Sequence, residues 1–341
     1  MKKVLHLLSS NSYSGAENVA ISSIKMLENK CKGIYVSPAG PINNTLQNEN
    51  IEFVNLDKVT LLNLTKIVYK LKPDIIHAHD FRVSILSSLI PKKVKKISHI
   101  HQNPKWIKTI NFRSLSYFLV ANRFNKIVTV SDQVFENSIL FKDMQNHEVI
   151  ANPLNINKIF EGAKSDNKNF YDIVFVGRLV EEKNPQAFIS YIKKLTIKLP
   201  DLKIAMIGDG PLRNECEELI EKYNLNNNID LKGFIEGPYS YIKNAKLVVM
   251  TSKSEGYGLV AIESMILKTP ILIPPVGGLK TIANNIPFLI YHNREELMKK
   301  SIELLSNQEL RMVVGEKCEK EALKLTDEKK WREKWKKIYK I

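Results

Sequence analysis

Cysteine is scarce in this chain: Cys31, Cys216 and Cys318 are the only three among 341 residues. They lie far apart with no C-x-x-C spacing, which excludes a disulfide-stapled scaffold and fits a reducing, cytoplasmic setting. Long apolar runs are absent as well. No stretch approaches the roughly 18 to 20 uninterrupted apolar residues of a membrane-spanning helix, so any membrane contact is expected to be peripheral. The segment Met1–Leu8 has two lysines and a short apolar run, but it continues into Ser9-Ser10-Asn11-Ser12 without an h-region or cleavage site. It reads as a first strand. Asp-x-Asp occurs nowhere, so the usual carboxylate pair that holds a divalent ion against a phosphorylated ligand is missing, and no metal site is expected.

What is present is the composition of a folded protein. A hydrophobic fraction of 44% and a charged fraction of 26%, without low-complexity tracts or evident repeats, argue against disorder. The length is too great for one ordinary α/β core and comfortable for two domains of about 160 residues. The formal net charge is +15. Such an excess suits nucleic acid, anionic lipid or phosphorylated substrates, or is a lysine-rich solvated surface, and charge alone does not choose among them.

The first half alternates short β-branched runs with helix-period segments, as a parallel sheet with crossover helices requires. Strands are expected at Val4–Leu8, Ile34–Val36, Asp74–His77, Ile97–Ile100 and Ile127–Val130, and helices at Ala16–Leu27, Leu62–Leu71, Val83–Ile90 and Leu115–Asn125. The strand runs are apolar nearly throughout, so both faces of the sheet should be covered. At Ala151-Asn152-Pro153-Leu154 the pattern breaks, and it resumes at Asp172–Val176. Further strands are expected at Lys203–Ile207, Leu247–Thr251 and Ile271–Ile273, with helices near Pro185–Leu199, Leu212–Tyr223 and Leu259–Leu267. The expected division is 1–154, 155–325 and a last helix over 326–341, whose Trp331, Trp335 and Ile338 share one stripe that must be buried.

Two segments carry chemistry. In Ser254-Glu255-Gly256-Tyr257-Gly258-Leu259-Val260-Ala261-Ile262-Glu263, two glycines let backbone approach a ligand, and the helix start offers N–H groups and a positive dipole end suited to phosphate. A carboxylate on each side can accept hydrogen bonds from hydroxyls. The plainer alternative is an ordinary strand–turn–helix with solvated glutamates. In Phe175-Val176-Gly177-Arg178-Leu179-Val180-Glu181-Glu182-Lys183, two cations follow a strand end, where open α/β sheets bind ligands, and are suited to a diphosphate. Surface cations near a turn are the alternative there.

Together Glu255-x7-Glu263, Gly177-Arg178 with Lys183, Ile207-Gly208-Asp209-Gly210-Pro211-Leu212 and Ser14-Gly15-Ala16-Glu17 resemble retaining GT-B glycosyltransferases of family 4, in the expected order and over nearly the whole chain. The resemblance implies two Rossmann-like domains facing across a cleft and a UDP- or GDP-linked sugar as donor, with no separate cofactor. It implies that Arg178 and Lys183 hold the diphosphate, Glu255 meets the transferred sugar and Glu263 binds the ribose. Gly15 and Ala16 would lie near the phosphates, although Ser14 stands where the family has its first glycine. The implied donor set also takes in Gly177, Gly208, Gly210, Phe234, Gly256, Tyr257, Gly258 and Leu259.

His101, after the Ile97–Ile100 strand, matches the family's histidine facing the reacting sugar, which makes Glu255, His101, Arg178 and Lys183 the implied catalytic set. His77, His79 and Asp80 resemble the family's His-x-His pattern, and no further ligand group has metal-site spacing from them. The implied activity is transfer of a hexose or N-acetylhexosamine to a glycan or lipid-linked acceptor in surface polysaccharide or glycolipid assembly. A nucleotide-sugar epimerase and a non-catalytic subunit are the alternatives; nucleic acid is not an expected partner, because no aromatic-basic motif for bases occurs. Lys92, Lys93, Lys95 and Lys96, followed by Lys105, Trp106, Lys108, Phe112 and Arg113, form either a basic and apolar surface for the cytoplasmic face of an anionic membrane or a solvated lysine turn beside a buried helix with Trp106 and Phe112 in the core.

Overall fold

A computed structural model describes residues 1–12, 15–91, 93–101, 105–136, 138–164 and 170–341. The chain forms two compact units, Met1–Leu154 with Asp327–Ile341, and Asn155–Thr326.

The first unit is built on a parallel sheet of seven strands: β1 Lys2–Leu7, β2 Cys31–Ser37, β3 Phe53–Asn55, β4 Ile75–Ala78, β5 Lys95–Ile100, β6 Lys126–Thr129 and β7 His147–Val149. Their order is β3-β2-β1-β4-β5-β6-β7, so the winding reverses between β1 and β4. Both faces are covered, which is why the strands read as nearly continuous apolar runs. On one face Leu5, Leu7, Ile34, Val36 and Ile76 pack against Leu64 and Val68 of the helix Leu61–Leu71 and Val83 of the helix Phe81–Ser88. On the other, Val4, Ile75, Ile97 and Val128 pack against Trp331, Trp335, Ile338 and Tyr339 of the helix Glu328–Tyr339.

That last helix starts where Asp327 accepts a hydrogen bond from Lys330 N, the side-chain cap that its sequence offers. Its terminal carbonyls are held in turn: Lys2 Nζ donates to Tyr339 O at 3.1 Å and Lys340 O at 2.7 Å, and Lys95 Nζ donates to Ile338 O. Cations at a helix C-terminus complement its dipole. Lys95 thus serves the fold, and Lys96 is buried with its Nζ donating to Ile90 O at 2.8 Å. The expected basic surface over residues 92–96 is corrected at Lys95 and Lys96, which have structural partners; Lys93 is exposed, and Lys92 lies outside the described residues.

The second unit repeats the plan with five parallel strands, β8 Tyr171–Val176, β9 Ile204–Ile207, β10 Ile229–Gly233, β11 Ala245–Val249 and β12 Ile271–Leu272, in the order β10-β9-β8-β11-β12. Here the winding reverses between β8 and β11. The helix Pro185–Thr196 begins with proline at its first turn and buries Phe188, Ile189, Ile192 and Leu195, the apolar stripe that its spacing predicts. Two helices absent from the sequence reading, Arg294–Ser306 and Gln308–Leu325, follow β12, each capped by an asparagine, Asn293 and Asn307.

Candidate functional site

In an open parallel sheet, crevices form outside the carboxyl ends of the strands where the winding reverses. In the second unit that place lies beyond Val176 of β8 and Val249 of β11, and it holds Gly177, Arg178, Lys183 and Glu255. Lys183 Nζ donates to Glu255 Oε1, and Ser252 Oγ donates to the same oxygen at 2.8 Å. The Glu255 side chain is only 7% exposed and that of Lys183 23%. Arg178 is exposed, and among the described residues its guanidinium pairs with no carboxylate. One cation in reserve and one shared with a buried carboxylate is an arrangement suited to a dianionic ligand carrying hydroxyls.

The loops bearing these groups are tied together. Thr251 Oγ1 donates to Lys183 O at 3.2 Å and Asn184 O at 3.0 Å, and Lys253 N donates to Glu182 O at 2.8 Å. Gly208, after β9, has a φ of +145°, and a Cβ there would lie 1.9 Å from Gly177 O, so only glycine lets the two strand-end loops touch. Leu179 N then donates to Asp209 O at 2.9 Å, seating Gly210 against the Arg178 loop. Gly277 lies on the other side of the site with a φ of +52°, its would-be Cβ 1.8 Å from Glu255 O, and Gly278 N donates to that oxygen at 3.3 Å.

The turn Gly256–Gly258 leads into the helix Leu259–Ile266. Tyr257 is buried, and burial pushes its hydroxyl well above the usual range. Glu263 sits in the second turn of that helix, buried, and burial raises its carboxyl to about 7. Phe234, just past edge strand β10, is 61% exposed. Sequence reasoning missed Ser252, Thr251 and the Gly277-Gly278 turn. Their only signals were a hydroxyl pair just past β11 and a Gly-Gly after Pro274-Pro275, both too common to single out.

In the first unit, Gly15 and Ala16 open the helix Gly15–Met26 after β1; Tyr13 and Ser14 lie outside the described residues. His101 directly follows β5 and is buried. Its Nε2 lies 2.9 Å from His79 Nδ1, whose own Nε2 lies 2.9 Å from His6 Nδ1. Beside this chain His77 Nε2 lies 3.2 Å from His99 Nδ1, and His77 Nδ1 lies 2.7 Å from the Tyr339 hydroxyl. The expectation that His77 and His79 lack further ligand groups is corrected here. Side chains two apart on neighbouring strands share a face, and nitrogens of His6, His77 and His79, and of His79, His99 and His101, gather within 4.8 Å. The rings bond to one another. Burial holds His77, His79 and His99 well below the ordinary imidazole range and lowers His6 to about 3 and His101 to about 4.

Two such parallel α/β units are the architecture of the GT-B fold. The chain superposes on HepE of Anabaena, solved in complex with UDP and glucose, with a TM-score of 0.84 over 99% of each chain at 16% identity. Residues 156–321, nearly all of the second unit, match the family of glycosyl transferases group 1. An uncharacterized glycosyltransferase of Methanocaldococcus jannaschii is 28% identical over 61% of this chain and 57% of its own length. The chain thus spans little more than half of that relative. The UDP-Gal:alpha-D-GlcNAc-diphosphoundecaprenol alpha-1,3-galactosyltransferase of Escherichia coli is 22% identical over 83% of this chain and 82% of its own length.

Proposed function

We propose that the protein is a retaining glycosyltransferase that moves a hexosyl or N-acetylhexosaminyl group from a UDP- or GDP-sugar to a glycan or lipid-linked acceptor in polysaccharide or glycolipid synthesis. The observation that carries this reading is the Lys183–Glu255 pair at the winding reversal of the second sheet, together with Arg178, whose guanidinium meets no carboxylate among the described residues. Arg178 and Lys183 neutralise the diphosphate, the N-terminus of the helix Leu259–Ile266 adds its dipole, and Glu255 accepts hydrogen bonds from sugar hydroxyls. These groups stabilise charge as the bond from C1 to the phosphate oxygen breaks. The acceptor oxygen bonds to C1 on the same face, and its proton passes to the departing phosphate, so no protein nucleophile is needed. His101 stays in the proposed catalytic set on the strength of its motif.

The acceptor reading draws on the first unit. The helix Phe112–Ala121 turns Ser114, Tyr117, Val120 and Ala121 inward. Phe112 at 87% exposure and Leu119 at 78% stand on its outer side with Leu115, and Ile110, Lys108, Arg113 and Arg123 are exposed nearby. Apolar groups ringed by cations fit an anionic bilayer surface, and the Escherichia coli relative acts, by its name, on a diphosphoundecaprenol-linked sugar. Among the described residues no helix is long and apolar enough to cross a membrane.

A panel of UDP- and GDP-sugars, incubated with lipid-linked acceptors in anionic vesicles, tests the reading. The expected product is an elongated acceptor whose new linkage keeps the donor's anomeric configuration. An inverted linkage overturns retention, epimerised donor without acceptor favours the epimerase, and absence of any donor binding overturns the enzyme reading. Replacing Phe112 and Leu119 with serine should lower vesicle binding while leaving donor binding unchanged; equal vesicle binding removes the membrane surface.

A further inference from the structure

The ammonium that the proposed site needs for a diphosphate is already engaged. Lys183 Nζ donates to Glu255 Oε1, and the loops around the pair are held by Thr251 and by the Lys253–Glu182 backbone hydrogen bond, so this is a built contact rather than a surface encounter. Glu255 is nearly buried, and its backbone carbonyl is in turn clamped by Gly278 N. A carboxylate in that position depends on its partners, because an ionised group left without them in a poorly solvated place is costly.

We propose that Glu255 is an internal competitor for the diphosphate, so that the site favours an intact nucleotide sugar over the nucleoside diphosphate that remains after transfer. This rests on the reading of the site given above. Any diphosphate that takes Lys183 strips Glu255 of that cation and leaves it, among the described residues, the Ser252 hydroxyl. A nucleotide sugar compensates, since its sugar hydroxyls donate to the carboxylate that the ammonium has left. A nucleoside diphosphate brings no such donors. Once the C1–oxygen bond has broken and the sugar has moved to the acceptor, Glu255 reclaims Lys183 and the product loses its hold. Glu255 in this account both orients the donor and promotes release of what is left of it.

Calorimetric titration of the full chain with UDP, GDP, UDP-glucose and GDP-mannose, in wild type, Glu255→Gln, Lys183→Gln, the double variant and Ser252→Ala, decides the matter. Circular dichroism confirms the fold of each variant. Glu255→Gln should bind the matching nucleoside diphosphate about tenfold more tightly than wild type, while binding the matching nucleotide sugar more weakly. The gain should vanish in the Lys183→Gln background, because the competition runs through that ammonium. Ser252→Ala, which takes away the carboxylate's other donor and so makes it hold the ammonium harder, should shift nucleoside diphosphate binding in the opposite direction, towards weaker binding. Nucleoside diphosphate binding that is unchanged or weaker in Glu255→Gln, where wild type binds it, overturns the proposal, as does a gain that persists without Lys183. Failure of the wild type to bind any of the four ligands overturns the reading of the site itself, a distinct result.

Discussion

Tyr339, in the last turn of the final helix, places its hydroxyl 2.7 Å from Nδ1 of His77 in β4, joining residues 262 apart in the sequence. The contact sits beneath Trp335, which is fully buried, with its ring centroid 4.8 Å from that of His77. The helix therefore belongs to the core of the first unit. Trp335→Ala should destabilise that unit by about 3–5 kcal/mol through lost burial and the cavity left behind. Tyr339→Phe should cost about 1–3 kcal/mol by orphaning a buried histidine nitrogen. Urea denaturation of each variant checks both values, and a Trp335→Ala midpoint matching wild type would show the helix to be dispensable.

The five buried histidines of the first unit make its stability depend on acid. Their folded values lie below the ordinary 6.5, so above about pH 6.5 they are neutral in both folded and unfolded chains and cost nothing. Below it the unfolded chain takes up protons that the folded unit refuses, and stability falls as pH drops from 6.5 towards 4. Each such proton contributes about 1.4 kcal/mol per pH unit, so the decline should be steep. Melting temperatures measured from pH 7.5 to 4.5 check this, and a flat profile would contradict it. His77→Asn together with His99→Asn should make the profile shallower.

Glu263 predicts a pH dependence of ligand binding with the opposite origin. Burial raises its carboxyl to about 7, above its unfolded 4.5, so its contribution to stability is fully present below 4.5 and is lost as pH rises through 7. If ribose hydroxyls donate to it, binding favours the ionised form, and donor affinity should rise between pH 6 and 8 with release of a proton. Glu263→Gln should flatten that rise. Titration calorimetry in two buffers of different ionisation enthalpy reads the proton directly, and no proton release would remove Glu263 from the ribose.

The strands that build the two sheets were legible where burial on both faces left continuous apolar runs, as in β1, β4, β8 and β11. Short edge strands were not. β3, β7 and β10 are half exposed, and Ile229-Asp-Leu-Lys-Gly233 alternates with polar residues as an edge must. The motif residues Arg178, Lys183 and Glu255 were legible because glycines and charges cluster at strand ends. That Lys183 and Glu255 bond to each other was not, since they lie 72 residues apart and meet only once β8 and β11 pair. The histidine chain shows the same limit. Spacing reveals His77-x-His79, while the partners His6, His99 and His101 come from other strands.

On the proposed function, the strand-end cations of the second unit should hold a nucleotide diphosphate without a metal ion. Transfer rates should be measured with the preferred nucleotide sugar in excess EDTA for wild type, Arg178→Ala and Lys183→Gln. Wild type should keep its activity, and each variant should lose transfer by about a hundredfold or more with its melting temperature little changed, as removal of a charge-stabilising group does. Wild-type rates in both variants, or activity lost to EDTA and restored by magnesium or manganese, would contradict the account.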